Sequence, residues 1–206
     1  MRDLIVIDPA TISDRENYKL LVGSVAPRPI ALVASLSING VINVAPFSYF
    51  NVVSSQPPML SVSVGRKQGN MKDTARNIKD TGEFVVHIVD ETNVHAANLA
   101  AQSLPPDVSE VEVAGFTPVA SEAISVPGIR EAKVRMECVL ERIIRLGETE
   151  GDPTCDLIIG RVVRFHIDED IYEQGNIRSD KLKPVGRMGG SQYTTLGKTF
   201  ILERPQ

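Results

Sequence analysis

Residues 54 to 74 bring together side chains able to hold an anion. The chain supplies hydroxyls and cations there from Ser54, Ser55, Arg66, Lys67, Lys72 and Thr74. A phosphate monoester carries nearly two negative charges, and the unpaired N–H groups of a helix start beside basic side chains meet that demand. The alternative is that the cations of residues 66–72 belong to a solvated loop. The pattern indicates a site for one terminal phosphate, with that alternative left open.

A second group of residues, 45–58, combines aromatic rings with hydroxyls and one amide. It reads APFSYFNVVSSQPP and is predicted to be a loop between two strands. A flat apolar wall beside many hydrogen-bonding groups suits a flat heteroaromatic ring with a polar tail. The alternative is that Phe47, Tyr49 and Phe50 are ordinary core side chains.

Strands and one helix must position these residues. Apolar runs on both sides of Asn39-Gly40 predict a hairpin with a two-residue turn, and alternation over residues 60–64 predicts a third strand. Asn70 is predicted to cap a helix from Met71 to about Asp80, ended by Gly82. Thr74 would then share the inward helical face with Met71, Ala75 and Ile78.

The remaining elements are predicted from local signals. Ser13 and Glu16 have the spacing of a capping box, so a short helix follows them. Residues 83–89 predict a strand and residues 91–101 a helix. Residues 133–140 and 157–167 predict two long strands joined as a hairpin by residues 147–153. The segment 103–129 has little periodicity and is predicted to be a lid or an arm that contacts a partner subunit.

Composition and motif content exclude several classes of function. A chain of 206 residues with a formal net charge of −4 fits one domain and argues against a general nucleic-acid binder. Residues 1–17 lack the apolar stretch of a signal peptide, which favours a cytoplasmic protein that is not bound to membranes. No dinucleotide fingerprint, Walker sequence or nucleophile elbow occurs. Neither Cys138 and Cys155 nor the three histidines have metal-ligand spacing, so no metal site is expected.

The order of several motifs resembles one family. They are RPIALVAS from Arg28, the Asn39-Gly40 pair, NVAPFSYFNVVSSQPP from Asn43, KDTARNI from Lys72, GEFVV from Gly82, GFTP from Gly115, LKPVGRMGG from Leu182, and Tyr193. Together they resemble the flavin reductase-like, FMN-binding split β-barrel family, in its flavoredoxin-like branch. The resemblance implies a mainly β fold with short helices, a single domain over residues 1–206 with its core at about 20–200, and a homodimer with FMN near the interface.

The resemblance also implies which residues hold the cofactor. Arg66, Lys72 and Thr74 would bind the phosphate. The ribityl chain and ring would be positioned by Ser35, Ala45, Pro46, Phe47, Ser48, Asn51, Val53, Ser54 and Ser55. Arg187, with Tyr193, would complete the site across the dimer interface. No catalytic acid or base is expected, because the flavin supplies the hydride chemistry.

The expected function is that of an FMN-binding oxidoreductase. It would take hydride from NAD(P)H onto the flavin and pass electrons to a flavin or another acceptor. One alternative is an FMN-holding electron carrier that a protein partner reduces. A third is a split barrel that has lost its flavin and serves as an interaction module.

Overall fold

The computed structural model describes residues 2–105, 107–147 and 152–205. Its helices are α1 (Asp14–Ser24), α2 (Asp73–Thr81), α3 (Val94–Leu99), α4 (Glu110–Ala114) and α5 (Ser179–Leu182), with 3₁₀ turns at Pro9–Thr11 and Glu169–Ile171. Its strands are β1 (Arg28–Pro29), β2 (Ala31–Leu36), β3 (Ile42–Phe47), β4 (Phe50–Ser55), β5 (Pro58–Gly65), β6 (Glu83–Ile88), β7 (Pro118–Val119), β8 (Gly128–Ile129), β9 (Val134–Leu146), β10 (Cys155–Ile167), β11 (Tyr172–Glu173), β12 (Asn176–Ile177), β13 (Val185–Arg187) and β14 (Tyr193–Thr195).

Seven antiparallel strands form the main sheet, in the order β3-β2-β6-β9-β10-β5-β4. Its two edge strands, β3 and β4, are joined by only two residues, Ser48 and Tyr49. Because the three Cα–Cα steps from Phe47 to Phe50 span at most about 11 Å, the sheet must curl until its edges approach each other. The result is the mainly β split barrel that the family resemblance implies.

Apolar side chains lie on both faces of this curled sheet. On the inner face, Val62, Phe84 and Met136 lie in one buried cluster with Ala75 and Ile78 of α2. Outside, a second cluster lies between the sheet and the segment 91–129. The inner packing needs a glycine at 160, since a Cβ there would lie 2.2 Å from the ring of Phe84.

One predicted turn and one predicted helix cap differ from those observed. The hairpin after β2 has three residues in its loop, because the Ser37 N–H donates to the Val41 carbonyl and the Gly40 N–H to Ser37. Only Gly40 has positive φ, at 82°, so the two-residue turn was wrong. The predicted cap Asn70 was also wrong. Asn70 exchanges backbone hydrogen bonds with Lys67 in a tight turn, and α2 begins later, with Lys72 as its N-cap.

Other predictions agree with the structure. Ser13 and Glu16 form the capping box of α1, and Gly82 ends α2 in the left-handed conformation. β9 and β10 pair as the predicted long hairpin, although residues 148–151 of its connection lie outside the described part. The prediction of a loop over residues 45–58, in contrast, was wrong: this stretch is mostly strand, because its first part pairs with β2 and its second with β5.

The segment 91–129 lies on its own barrel. Its α4 contacts β3, and the Ile129 N–H donates to Nε2 of the buried His87 at 2.8 Å. His87 Nδ1 is 2.8 Å from the Leu32 carbonyl oxygen, which makes Nδ1 the protonated nitrogen. Burial lowers the pKa of His87 to about 4, so it is neutral at pH 7 and fastens the end of this segment to the sheet.

Candidate functional site

A cavity of about 470 Å³ opens beside the start of α2. Three parts of the chain surround it: β3, the residues from 67 to 74, and the residues that follow α3. Its wall is formed by Asn43, Ala45, Pro46, Phe47, Lys67, Gln68, Asn70, Met71, Lys72, Asp73, Thr74, Ala100, Ala101, Gln102, Ser103, Leu104 and Glu110. Pockets of this size hold small ligands and cofactors.

Five of the predicted cofactor residues lie on this wall. They are Ala45, Pro46, Phe47, Lys72 and Thr74. Strand β3 contributes the first three, and the N-terminal residues of α2 contribute the other two. The sheet and the helix thus bring an apolar wall and a basic helix start to one cavity, although 25 residues or more separate them along the chain.

The start of α2 is suited to an anion. Lys72 is the N-cap of α2, and Asp73 and Thr74 are its first two residues. Among the described residues, no side chain caps the N–H groups of this first turn. Lys67 and Lys72 are both exposed at the cavity, whereas the carboxylate of Asp73 pairs with Arg76. Uncapped N–H groups carry partial positive charge, and two ammonium groups add to it. This part of the cavity therefore meets the charge and hydrogen-bonding demand of a phosphate.

A buried polar network forms the floor of the cavity. The Thr74 hydroxyl donates to Asn43 Oδ1 at 2.7 Å, and Asn43 Nδ2 donates to both carboxylate oxygens of Glu110 at 2.9 Å. The Val44 N–H donates to the same carboxylate at 3.0 Å. A hydroxyl has one proton, so Thr74 is already engaged as a donor. Its hydroxyl holds α2 against β3 in this structure, and its role toward a phosphate stays a prediction.

Sequence reasoning missed Asn43 and Glu110. Ser35, which it included, is buried under the same network, with its hydroxyl 3.4 Å from Asn43 Oδ1. Ser109 caps α4 and so places Glu110 in the first turn of that helix, but the acid and its amide partner are 67 positions apart. No local pattern connects residues at that separation.

Arg66 is held away from the cavity wall. Its guanidinium binds Asp156 through two hydrogen bonds, of 2.9 and 2.8 Å, and donates a third to the Gly69 carbonyl at 3.0 Å. The Asp156 side chain is fully buried, and its hydrogen bonds raise the pKa of Arg66. In this conformation Arg66 shapes the turn that carries Lys67. A direct contact with phosphate stays a prediction.

The predicted residues on and before β4 do not reach this cavity within one chain. They are Ser48, Asn51, Val53, Ser54 and Ser55, on the opposite edge of the sheet from β3. Asn51 and Ser54 accept hydrogen bonds from nearby backbone, Val52 N–H at 2.8 Å and Gln56 N–H at 3.1 Å. Val52 and Val53 are 67% and 48% exposed, so the surface around them is apolar and uncovered in the single chain.

Arg187 and Tyr193 form a separate site. The guanidinium lies 4.3 Å from the centre of the tyrosine ring, a cation–π contact. The Tyr193 hydroxyl donates to Asn98 Oδ1 at 3.0 Å. Tyr193 and Asn98 both border a second cavity of about 610 Å³. The single chain therefore does not join Arg187 to the first cavity.

The described residues contain no cluster of three or more histidine, cysteine or acidic side chains placed to hold a metal. His166 binds the buried Glu137 at 2.5 Å, so it and His87 both have structural partners. Within the described part, no helix is long and apolar enough to cross a membrane.

Comparison with known proteins agrees with this geometry. The profile of the flavin reductase like domain matches residues 23–183. The structure of nitrilotriacetate monooxygenase component B from Bacillus cereus is 54% identical, with a TM-score of 0.97 over 98% of this chain and 100% of that one. The 2-nitrobenzoate 2-nitroreductase NbaA of Pseudomonas fluorescens is 32% identical, with a TM-score of 0.87 over 98% and 96%.

A split-barrel protein from Shewanella frigidimarina NCIMB 400, assigned as a flavin reductase, shares the fold. Its TM-score is 0.83 at 19% identity, over 95% of this chain and 96% of that one. At that identity the likeness concerns the fold alone, and it agrees with the curled seven-stranded sheet. From the matched profile and the two closer structures, it follows that this chain belongs to the flavin reductase like domain family.

Proposed function

We propose that the protein binds FMN and transfers hydride from NAD(P)H onto it, then passes the electrons to a free flavin or another acceptor. The observation that carries this proposal is the cavity in which the uncapped start of α2, Lys67 and Lys72 face an apolar wall from β3. That combination suits a ligand with a phosphate at one end and a flat ring at the other. Bound flavin supplies the hydride chemistry itself.

The chain's own residues bind and orient in this scheme. Lys67, Lys72 and the α2 N–H groups hold the phosphate, and Ala45 to Phe47 line the path toward the ring. The network of Thr74, Asn43 and Glu110 keeps α2 and β3 at a constant separation. None of these residues is asked to move a proton at the reacting atom.

The proposal includes a homodimer. Large apolar side chains are exposed on the single chain, among them Val52 at 67%, the N-terminal residues Leu4 to Val6 at 85–93%, and the C-terminal residues 200–202 at 77–93%. Covering them with a second copy would also cover Ser48 to Ser55, the predicted ring-binding residues on β4. Sedimentation is expected to give a dimer. A clean monomer of 22.5 kDa at micromolar concentration would contradict this part.

The final electron acceptor in this proposal is either another protein or a small molecule such as a nitro compound. The 54% identical structure from Bacillus cereus is named as a component of a monooxygenase, which fits a protein that delivers reducing equivalents to a partner. The 32% identical one is named as a nitroreductase. Acceptor assays with free FMN, FAD and 2-nitrobenzoate separate these outcomes. A cytoplasmic location is part of the proposal.

The deciding experiment is anaerobic mixing of the flavin-bound protein with NADH or NADPH. Loss of the visible flavin absorbance at a rate that depends on nucleotide concentration is expected with at least one of them. Failure with both, in protein shown by mass to carry FMN, would leave the electron carrier as the function. Purified protein that neither contains nor binds flavin would overturn the proposal altogether.

The phosphate site is tested by Lys72→Gln. Loss of one charge-assisted contact is expected to weaken FMN about tenfold, with riboflavin binding unchanged because riboflavin lacks the phosphate. Fluorescence titration of the apoprotein with each ligand measures both. Lys79→Gln is the matched control, since Lys79 is an exposed lysine in the last turn of the same helix. Equal losses for FMN and riboflavin would place Lys72 outside the phosphate site.

A further inference from the structure

A polar cleft of about 440 Å³ lies where β9 begins and β10 ends, and the function proposed above does not use it. Four side chains that carry or accept positive charge border it: Arg130, Lys133, Arg135 and His166. Arg135 and His166 are direct partners across the β9–β10 ladder, so their side chains leave the same face of the sheet. We call this site the β9–β10 cleft.

The four groups differ in how they are engaged. Lys133 Nζ is 3.3 Å from the buried carboxylate of Asp90, and His166 binds Glu137. Arg130 and Arg135, in contrast, make neither an ion pair nor a side-chain hydrogen bond with any residue of the described ranges. Two guanidinium groups therefore border one cleft with their donors unused by the described chain.

Packing places Arg135 at the cleft. Its aliphatic stem lies on Gly128, where an added Cβ would come within 3.1 Å of the arginine Cδ. Arg135 is partly buried, which restricts the conformations open to its side chain. A preorganised guanidinium fork loses little conformational entropy when it binds an oxyanion.

Two carboxylates adjoin the arginines, and each already accepts a backbone hydrogen bond. Asp168 Oδ1 accepts from the Asp170 N–H at 2.9 Å, and Glu131 Oε2 from the Thr117 N–H at 3.0 Å. Neither lies within ion-pair distance of Arg130 or Arg135 in the part of the chain that the structure describes, although the charge of Arg130 contributes to lowering the pKa of Glu131. The cleft thus keeps unpaired cationic donors beside carboxylates that serve the backbone.

We propose that the β9–β10 cleft binds the phosphate group of a small molecule, at a site separate from the flavin cavity. Two guanidinium groups match the charge of nearly −2 on a phosphate ligand. A ligand with a single carboxylate carries only one negative charge, which one guanidinium group already balances. The half-exposed ring of Phe165 borders the same cleft and gives an attached organic group a surface to lie on. Two strands, β2 and β6, separate β9 from the cavity wall on β3, so the two sites are roughly 14 Å apart along the sheet.

The test is titration of the flavin-bound protein with inorganic phosphate and, separately, with succinate. Amide chemical shifts report where each anion binds, and the occupied flavin cavity removes the first site from the comparison. Phosphate is expected to shift amides of residues 128–135 and 165–168 and to bind more tightly than succinate. Equal or tighter succinate binding would contradict a phosphate site, as would shifts confined to other regions.

Two variants complete the test. Arg135→Gln is expected to weaken phosphate about tenfold, because it loses a charge-assisted forked contact. Arg142→Gln removes the same charge from an exposed position on the same strand outside the cleft, and is expected to leave phosphate affinity unchanged. Flavin content and the thermal midpoint verify that both variants are folded. Equal weakening in the two would mean general surface charge rather than a site.

Discussion

Two buried glutamates fasten the segment 91–129 to the barrel, and they do so in opposite directions. Glu110 reaches from the segment to the barrel, where it accepts hydrogen bonds from the Asn43 amide and the Val44 N–H. Glu137 reaches from β9 to the segment and accepts the N–H groups of Glu122 and Ala123 at 2.7 Å. They are 6% and 1% exposed.

The surroundings of the two glutamates differ. Glu137 has an ionisable partner, His166, and does not border the first cavity. Burial acts to raise the pKa of Glu137, but the hydrogen bonds from the backbone and from His166 outweigh it and lower that pKa. Glu110 has neutral partners, lies on the cavity wall and is linked through Asn43 to Thr74 of α2. The same kind of fastening thus supports the fold at one point and the wall of the proposed cofactor cavity at the other.

The largest effect is expected for Glu137→Ala. The substitution leaves two N–H groups and the imidazole without their buried acceptor, and we expect the free energy of unfolding to fall by roughly 3–5 kcal/mol. FMN affinity of the folded variant should stay at the wild-type value. Urea denaturation and fluorescence titration measure the two quantities. A large loss of FMN affinity would remove the distinction between the glutamates.

A third fastening, His87, is expected to make stability depend on pH. Its pKa of about 4 in the folded protein lies below its usual value, so the unfolded chain binds more protons between pH 4 and pH 6.5. Stability is therefore fully present above pH 6.5 and falls as pH falls, by roughly 2 kcal/mol between pH 7 and pH 5. Arg135 and Glu131 act on the imidazole in opposite directions, and burial outweighs both.

Urea midpoints at pH 7, 6 and 5 measure this dependence. His87→Gln, which has no group titrating in that range, is expected to be less stable at pH 7 but to have a much flatter profile. A wild-type slope retained in the variant would assign the pH dependence to other groups.

A smaller effect on stability is expected for Glu110→Ala, but with a second consequence. The Asn43 amide and the Val44 N–H lose their acceptor, which costs roughly 1–2 kcal/mol. Because Asn43 then no longer holds Thr74 in place, FMN and riboflavin should both bind about threefold to tenfold more weakly. Unchanged binding of both ligands to the folded variant would show that the network supports only the fold.

Local features of the chain were predictable because their partners are near in sequence. The Ser13–Glu16 box, the Gly82 stop and the alternation of residues 60–64 each depend on residues within one turn or one strand. The basic helix start with Lys72 was predictable for the same reason. The Asn70 cap failed because a competing pair of hydrogen bonds with Lys67 keeps it in a turn.

What the sequence alone determined was therefore most of the long strands, but not β4, together with the helix that carries the lysines and, through the order of its motifs, the family. Only the tertiary structure decided which polar groups meet. Arg66 pairs with Asp156 across 90 positions, and Glu110 binds Asn43 across 67. The strand order also places β3 and β4 at opposite edges of the sheet, and only part of the predicted ring residues line the first cavity within one chain. Such contacts depend on how distant segments pack, because a buried donor or acceptor takes whichever partner the fold brings within about 3 Å.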